Sequence, residues 1–113
     1  MGKVAILGAG AWGTALGHHL GSHGVRVSLW SRSAEHAAAL AATRENRFLP
    51  GVSLPAAVLV SHRLDLALAG ADTIVFATPC HALREAAREA RPWIDPRARL
   101  VSAAKGIEND TLL

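Results

Sequence analysis

The chain alternates between short apolar runs and longer stretches of mixed polarity. Residues 3–7 are mostly apolar and read as a buried parallel strand, since a strand covered on both faces shows no polar alternation. From residue 11 to about 23 the spacing becomes helical. Trp12, Ala15, Leu16, His19 and Leu20 form the expected inward stripe, and Gly24 stands where a C-terminal cap belongs. Residues 25–30 read as a second strand, with Val25, Val27 and Leu29 on one side. Ser33 is placed to cap an alanine-rich helix ending near Thr43. Residues 46–51 break the pattern, because Pro50-Gly51 marks a turn and Pro50 disfavours helical geometry at Leu49. Residues 58–60 read as a third strand, and 62–69 as a short helix stopped by Gly70. A fourth buried strand covers 73–77. The helix after it, from Cys80 to about Arg91, turns Leu83, Ala86, Ala87 and Ala90 inward and Arg84, Glu85, Arg88 and Glu89 outward, and Pro92 ends it. Residues 99–103 read as a fifth strand, and residues 107–113 begin another helical pattern.

Strands alternating with helices predict an α/β fold with a parallel sheet covered on both faces. Between the first strand and the first helix stands Gly8-Ala9-Gly10-Ala11-Trp12-Gly13, a Gly-x-Gly-x-x-Gly turn in the strand–turn–helix–strand setting that a dinucleotide fingerprint requires. Gly8 would allow the sharp turn, Gly10 would let a pyrophosphate approach the backbone, and Gly13 would let the helix pack on the strand. The helix N-terminus would face the phosphates with free N–H groups and its positive dipole end. The competing reading is a glycine-rich turn without a ligand. With right-handed crossovers the fingerprint predicts a Rossmann-type doubly wound sheet of order 3-2-1-4-5, one domain over residues 1–113. Residues 8–13, 31–32, 78–80 and 104–106 would then share the rim at the carboxyl ends of the strands.

Composition narrows the partners. Half of the 113 residues are hydrophobic and 19% are charged, which fits a globular chain. The net charge of +3 is spread over scattered arginines without a basic run, so nucleic-acid binding is not supported; a mild positive bias suits phosphorylated ligands. Cys80 is the single cysteine and has no partner for an internal disulfide. The apolar runs are too short to span a membrane, and no hydrophobic leader precedes the first strand, so a cytoplasmic location is expected. Six histidines lack a metal-ligand spacing, and no metal is expected; nor does a Ser-His-Asp constellation emerge.

The end of the second strand reads Leu29-Trp30-Ser31-Arg32, and no carboxylate appears before Glu35. A site for NADH usually places Asp or Glu here to hold the ribose 2′-hydroxyl, whereas Arg32 suits the 2′-phosphate of NADPH. NADPH is therefore expected over NADH, without excluding the latter; the alternative for Arg32 is a solvated surface arginine. Lys105, followed by Gly106 past the fifth strand, either holds a phosphate or a polarised oxygen, or is a solvated loop lysine. Trp12 either covers cofactor or packs the first helical turn. Phe48 either stacks on a ring or anchors its loop. Thr78-Pro79 lies where a nicotinamide ribose would rest, although Pro79 also suits a helix start.

Taken together, Gly8-Ala9-Gly10-Ala11-Trp12-Gly13-Thr14-Ala15-Leu16, Trp30-Ser31-Arg32, Asn46-Arg47-Phe48-Leu49-Pro50-Gly51, Thr78-Pro79-Cys80-His81-Ala82-Leu83 and Ser102-Ala103-Ala104-Lys105-Gly106-Ile107-Glu108 follow one another in an order that resembles the amino-terminal part of bacterial NAD(P)-dependent glycerol-3-phosphate dehydrogenase. The resemblance spans essentially the whole chain. It implies hydride transfer between sn-glycerol 3-phosphate and dihydroxyacetone phosphate, supplying phospholipid synthesis. By match, Ala11, Trp12, Arg32 and Phe48 would contact cofactor, and Lys105 both cofactor and substrate. The family commonly has serine where Ala11 stands, so a backbone contact survives and a hydroxyl contact is lost; Cys80 likewise replaces serine. The resemblance also implies a helical second domain carrying the proton-acceptor lysine, with room for a homodimer. No catalytic residue is then expected within this chain, which would be a fragment that binds dinucleotide and turns over poorly. The alternatives are a stand-alone NADPH-sensing module, or the cofactor domain of another hydroxyacid dehydrogenase or a ketopantoate reductase, against which the 46–51 loop argues.

Overall fold

A computed structural model describes residues 2–102. Its elements follow the chain as β1 (Lys3–Leu7), α1 (Ala11–Ser22), β2 (Arg26–Trp30), α2 (Ala34–Thr43), β3 (Val58–Ser61), α3 (Leu64–Leu68), β4 (Thr73–Phe76), α4 (Cys80–Ala90), a 3-10 turn (Arg91–Trp93) and β5 (Arg99–Ser102). The strands form one parallel sheet of order β3-β2-β1-β4-β5, the expected doubly wound order. Register keeps the carboxyl ends level: Leu7 lies beside Trp30 and Phe76, Trp30 beside Ser61, and Phe76 beside Ser102. Successive connections leave β1 in opposite directions, so a crevice opens beyond the end of β1, where such folds bind ligands.

Alternation along the strands divides the core. Ala5 and Leu7 join Trp30, Ala67, Leu68, Ile74, Phe76 and Ala90 on the α3/α4 side. Ile6 joins Val27, Leu29, Leu40, Val58 and Val75 on the other side, with Leu16 and Leu20 against them. Ser33 caps α2 as expected, its hydroxyl accepting from the His36 N–H at 3.1 Å. After α1 comes Gly24 at φ 84°, and the N–H of Val25 reaches back to the Leu20 carbonyl, a left-handed helix end suited to glycine.

Three expectations need correction. The buried face of α1 is not the Trp12–His19 stripe. Gly13, Thr14, Gly17 and Gly21 face the sheet, Trp12 and His19 are exposed, and Ala15, Leu16 and Leu20 are half-buried. The physical reason is distance. A Cβ on Gly21 would lie 2.7 Å from Val58 Cγ2 and 3.1 Å from Pro55 Cγ, so this helix lies too close to the sheet for large side chains at its contact row. The second correction concerns β5, which is exposed along its length, with Leu100 and Val101 open, rather than covered on both faces. The short helix after β3 also covers only Leu64–Leu68, narrower than 62–69. Ala103 of the expected fifth strand, Lys105 and the helical pattern at 107–113 lie outside the described residues.

Candidate functional site

The three glycines of the turn stand in different circumstances. Gly8 leaves β1 at φ +132°, and a Cβ there would lie 2.9 Å from the Ala77 carbonyl carbon and oxygen. Backbone conformation and the neighbouring strand exit both require glycine. At Gly13 a Cβ would collide with the carbonyl oxygen of Gly8. Gly10 is different. It adopts φ −80° and ψ −166°, ordinary extended geometry, and a Cβ would meet nothing within 4 Å. Among the described residues neither conformation nor packing demands a glycine at position 10, and the backbone there stands open to whatever occupies the space beside it.

A cavity of about 730 Å³ opens beside it. The turn from Gly8 to Trp12 forms one wall, the β2 exit from Trp30 to Ser33 another, and Ala77, Thr78, Pro79, His81 and Ala82 a third, with His36 and Phe48 closing the side. The volume lies in the range of cofactor sites. Its described lining holds one arginine and two histidines and no carboxylate. Helix α1 starts at this cavity without a side-chain cap and without an acidic residue in its first turn. The N–H groups and positive dipole end of that turn are thus left for an anion.

Two buried polar atoms have no hydrogen-bond partner among the described residues, Trp30 Nε1 and Thr78 Oγ1, and both residues line this cavity. An indole N–H and a hydroxyl left unpaired when buried cost about 1–3 kcal/mol each. Both atoms are closed off from the open space of the cavity, so they lie beneath its wall.

The polarity of the turn is arranged from a distance. The Ala9 carbonyl accepts from Asn46 Nδ2 at 2.8 Å and from His36 Nε2 at 2.9 Å. Its acceptor capacity is therefore taken by protein donors instead of facing an anion. The His36 ring must carry its hydrogen on Nε2, because a carbonyl can only accept. Asn46 is fully buried. It also donates to Thr14 Oγ1 at 2.6 Å, and its Oδ1 accepts from the Phe48 N–H at 2.9 Å. One side chain thus ties the glycine turn, α1 and the Phe48 loop together. The Phe48 ring is half exposed, with the His36 ring 5.5 Å away and the Arg47 guanidinium 4.8 Å from its centroid.

Of the residues named from sequence, Gly8, Gly10, Ala11, Trp12, Arg32, Phe48 and Pro79 are brought to this one cavity. Gly13 is buried beneath the turn and packs instead of lining it. Lys105 lies outside the described residues. Arg32 is not free: its Nη1 donates to both oxygens of Glu89, at 2.9 and 3.0 Å, while its guanidinium lies 5.5 Å from the Trp30 ring centroid. Sequence reasoning did not single out Asn46, His36, the Trp30 indole or Glu89. Asn46 alone carried a local signal, as the residue that opens the Pro-Gly loop. Lys3, whose pKa is displaced, is remote from the cavity. Burial, then the Arg26 charge, lowers its pKa, and its ammonium donates to the Ala69 carbonyl at 2.7 Å. Among the described residues no three His, Cys, Asp or Glu side chains gather as metal ligands, and no helix is long and apolar enough to cross a membrane.

Against known proteins, a family model described as the N-terminus of NAD-dependent glycerol-3-phosphate dehydrogenase matches residues 3–113. The glycerol-3-phosphate dehydrogenase [NAD(P)+] of Pelotomaculum thermopropionicum is 49% identical over 112 residues, covering 98% of this chain and 32% of that protein. Its counterpart in Thermus thermophilus is 50% identical over 108 residues, covering 93% and 32%. The crystal structure of glycerol-3-phosphate dehydrogenase from Coxiella burnetii superposes with a TM-score of 0.87 at 34% identity, over 93% of this chain and 34% of that one. The chain thus spans about a third of the length of the curated relatives it matches.

Proposed function

The chain belongs to the family of NAD-dependent glycerol-3-phosphate dehydrogenase N-termini, and from that membership we propose that it binds NADPH or NADH for hydride transfer between sn-glycerol 3-phosphate and dihydroxyacetone phosphate. Residues 1–113 serve, in this reading, as the dinucleotide-binding domain of a cytoplasmic enzyme of glycerophospholipid precursor synthesis. The observation that carries it is Gly10, a glycine that nothing among the described residues requires, at the edge of a cavity whose described lining holds no carboxylate.

The residues present fit such a cofactor. The pyrophosphate would lie against the backbone at Gly10, Ala11 and Trp12, where helix α1 offers its first N–H groups. Arg32 would take the adenosine end and its 2′-phosphate, and Phe48 would cover the cofactor from the loop. Thr78 and Pro79, just past β4, would border the nicotinamide half. Lys105 would meet both cofactor and substrate. When bound, the nicotinamide supplies the hydride chemistry. The protein's contribution is to orient the two reacting carbons and to keep the site polarised toward anions. The proton acceptor would be a lysine of a helical second domain, and a homodimer is compatible with that arrangement.

The test is a pair of calorimetric titrations, with NADPH and with NADH, on the wild-type chain and on Gly10→Ala. Alanine adopts the Gly10 backbone geometry freely, so the variant should keep its folding stability to within about 1 kcal/mol. Its affinity for both cofactors should fall by about tenfold or more, because the methyl occupies space needed by the pyrophosphate. Equal binding by both proteins, or no binding by the wild type, would overturn the reading. NADPH oxidation by dihydroxyacetone phosphate should be negligible with the chain alone; rapid turnover would place the proton acceptor inside it.

A further inference from the structure

We propose that Glu89 sets the choice between NADPH and NADH by neutralising Arg32; the inference rests on the reading of Arg32 as the residue that meets the 2′-phosphate. In sequence Arg32 has no acidic neighbour before Glu35. In space α4 brings Glu89 to it from 57 positions away, and Arg32 Nη1 spans both carboxylate oxygens. The pair sits at the rim, with the side chains 47% and 40% exposed, so it is an adjustable contact rather than a buried structural one. Glu89 is outside the cavity lining, whereas Arg32 is within it. The carboxylate therefore acts on a ligand through Arg32 and through its own field.

Two consequences follow for a doubly charged 2′-phosphate. Part of the guanidinium's charge is already compensated, and the phosphate must approach a carboxylate. A ribose 2′-hydroxyl is uncharged and feels neither effect strongly. Glu89 thus lowers affinity for NADPH selectively and keeps the site open to NADH. Only Nη1 is engaged by Glu89, so the remaining guanidinium donors stay available to a phosphate, and the effect is a bias, not a block.

Glu89→Gln separates charge from position, because the amide oxygen still accepts from Arg32. Wild type, Glu89→Gln, Arg32→Ala and the double variant are titrated calorimetrically with NADPH and NADH at low and high salt. Glu89→Gln should tighten NADPH by about threefold to tenfold, leave NADH within about twofold, and lose much of this gain at high salt. The gain should vanish in the double variant, and the melting temperature should stay at the wild-type value. Equal changes for both cofactors, or no change in their ratio, would overturn the role of Glu89. If Arg32→Ala lowers NADPH affinity selectively while Glu89→Gln does nothing, the inference alone fails. If the wild type binds neither cofactor, or Arg32→Ala leaves the ratio unchanged, the reading of the site fails and takes the inference with it.

Discussion

Asn46→Ala should strongly destabilise this protein, although Asn46 does not line the cavity. The side chain is 1% exposed and makes three hydrogen bonds: to the Ala9 carbonyl, to Thr14 Oγ1 and from the Phe48 N–H. Removing it strands the fully buried Thr14 hydroxyl and the Phe48 amide; Ala9 keeps only the His36 contact. At about 1 kcal/mol for each bond lost the change destabilises by about 3 kcal/mol. For a domain of this size that is a fall of about 10–20 °C in melting temperature. Asn46→Asp should cost at least as much at neutral pH, since a carboxylate cannot donate to the Ala9 carbonyl. Urea unfolding followed by tryptophan fluorescence measures the stability change. Calorimetry with NADPH measures the second effect, because the Phe48 loop loses its anchor. In a double-mutant cycle the binding losses of Asn46→Ala and Phe48→Ala should be strongly non-additive. An Asn46→Ala variant that unfolds within about 0.5 kcal/mol of wild type would refute the account of Asn46 as the tie between turn, helix and loop.

Other positions give contrasting outcomes. Gly13→Ala drives a methyl into the Gly8 carbonyl, a backbone atom no rotamer change can move, and should cost more than about 3 kcal/mol in urea unfolding. Gly17→Ala places its Cβ 3.6 Å from Ile6 Cδ1 and 3.8 Å from Val27 Cγ1, in ordinary contact, and should be neutral or stabilise by up to about 1 kcal/mol. Lys3, whose pKa burial lowers below 10.5, binds its proton less tightly when folded than when unfolded. Its contribution to stability therefore rises as pH rises from the lowered pKa toward 10.5, and urea melts at about pH 8 and about pH 10 should show a rise that Lys3→Met removes.

Much of the architecture was legible because the deciding signals are local. Lys3–Leu7 and Thr73–Phe76 are mostly apolar runs and Arg26–Trp30 alternates, each bounded by turn residues, and Ser33 caps its helix through a contact three residues away. The face of α1 was misread because hydrophobicity marks large residues, whereas here the contact row is made of the smallest ones. Only the separation between helix and sheet reveals that, and it is set by Pro55 and Val58, far along the chain. The site was legible in the same measure. Gly8, Gly10, Trp12 and Arg32 stand in a motif, and Phe48 in a Pro-Gly loop. The partner of Arg32 and the donors to Ala9 come from 57, 37 and 27 positions away, and no spacing rule connects them.

Those long-range contacts change what the glycine turn accomplishes. A glycine turn presents carbonyls as well as N–H groups, and a carbonyl pointing at a pyrophosphate repels it. The Ala9 carbonyl lies between Gly8 and Gly10, the worst position for an uncommitted acceptor. Asn46 and His36 both donate to it, at 2.8 and 2.9 Å, so that acceptor is committed to protein donors. The same asparagine holds the Phe48 amide, which couples the glycine turn to the position of the aromatic ring at the side of the cavity. The buried Asn46 amide thus joins the glycine turn and the Phe48 loop into one hydrogen-bonded unit beside the cavity, from 37 positions along the chain.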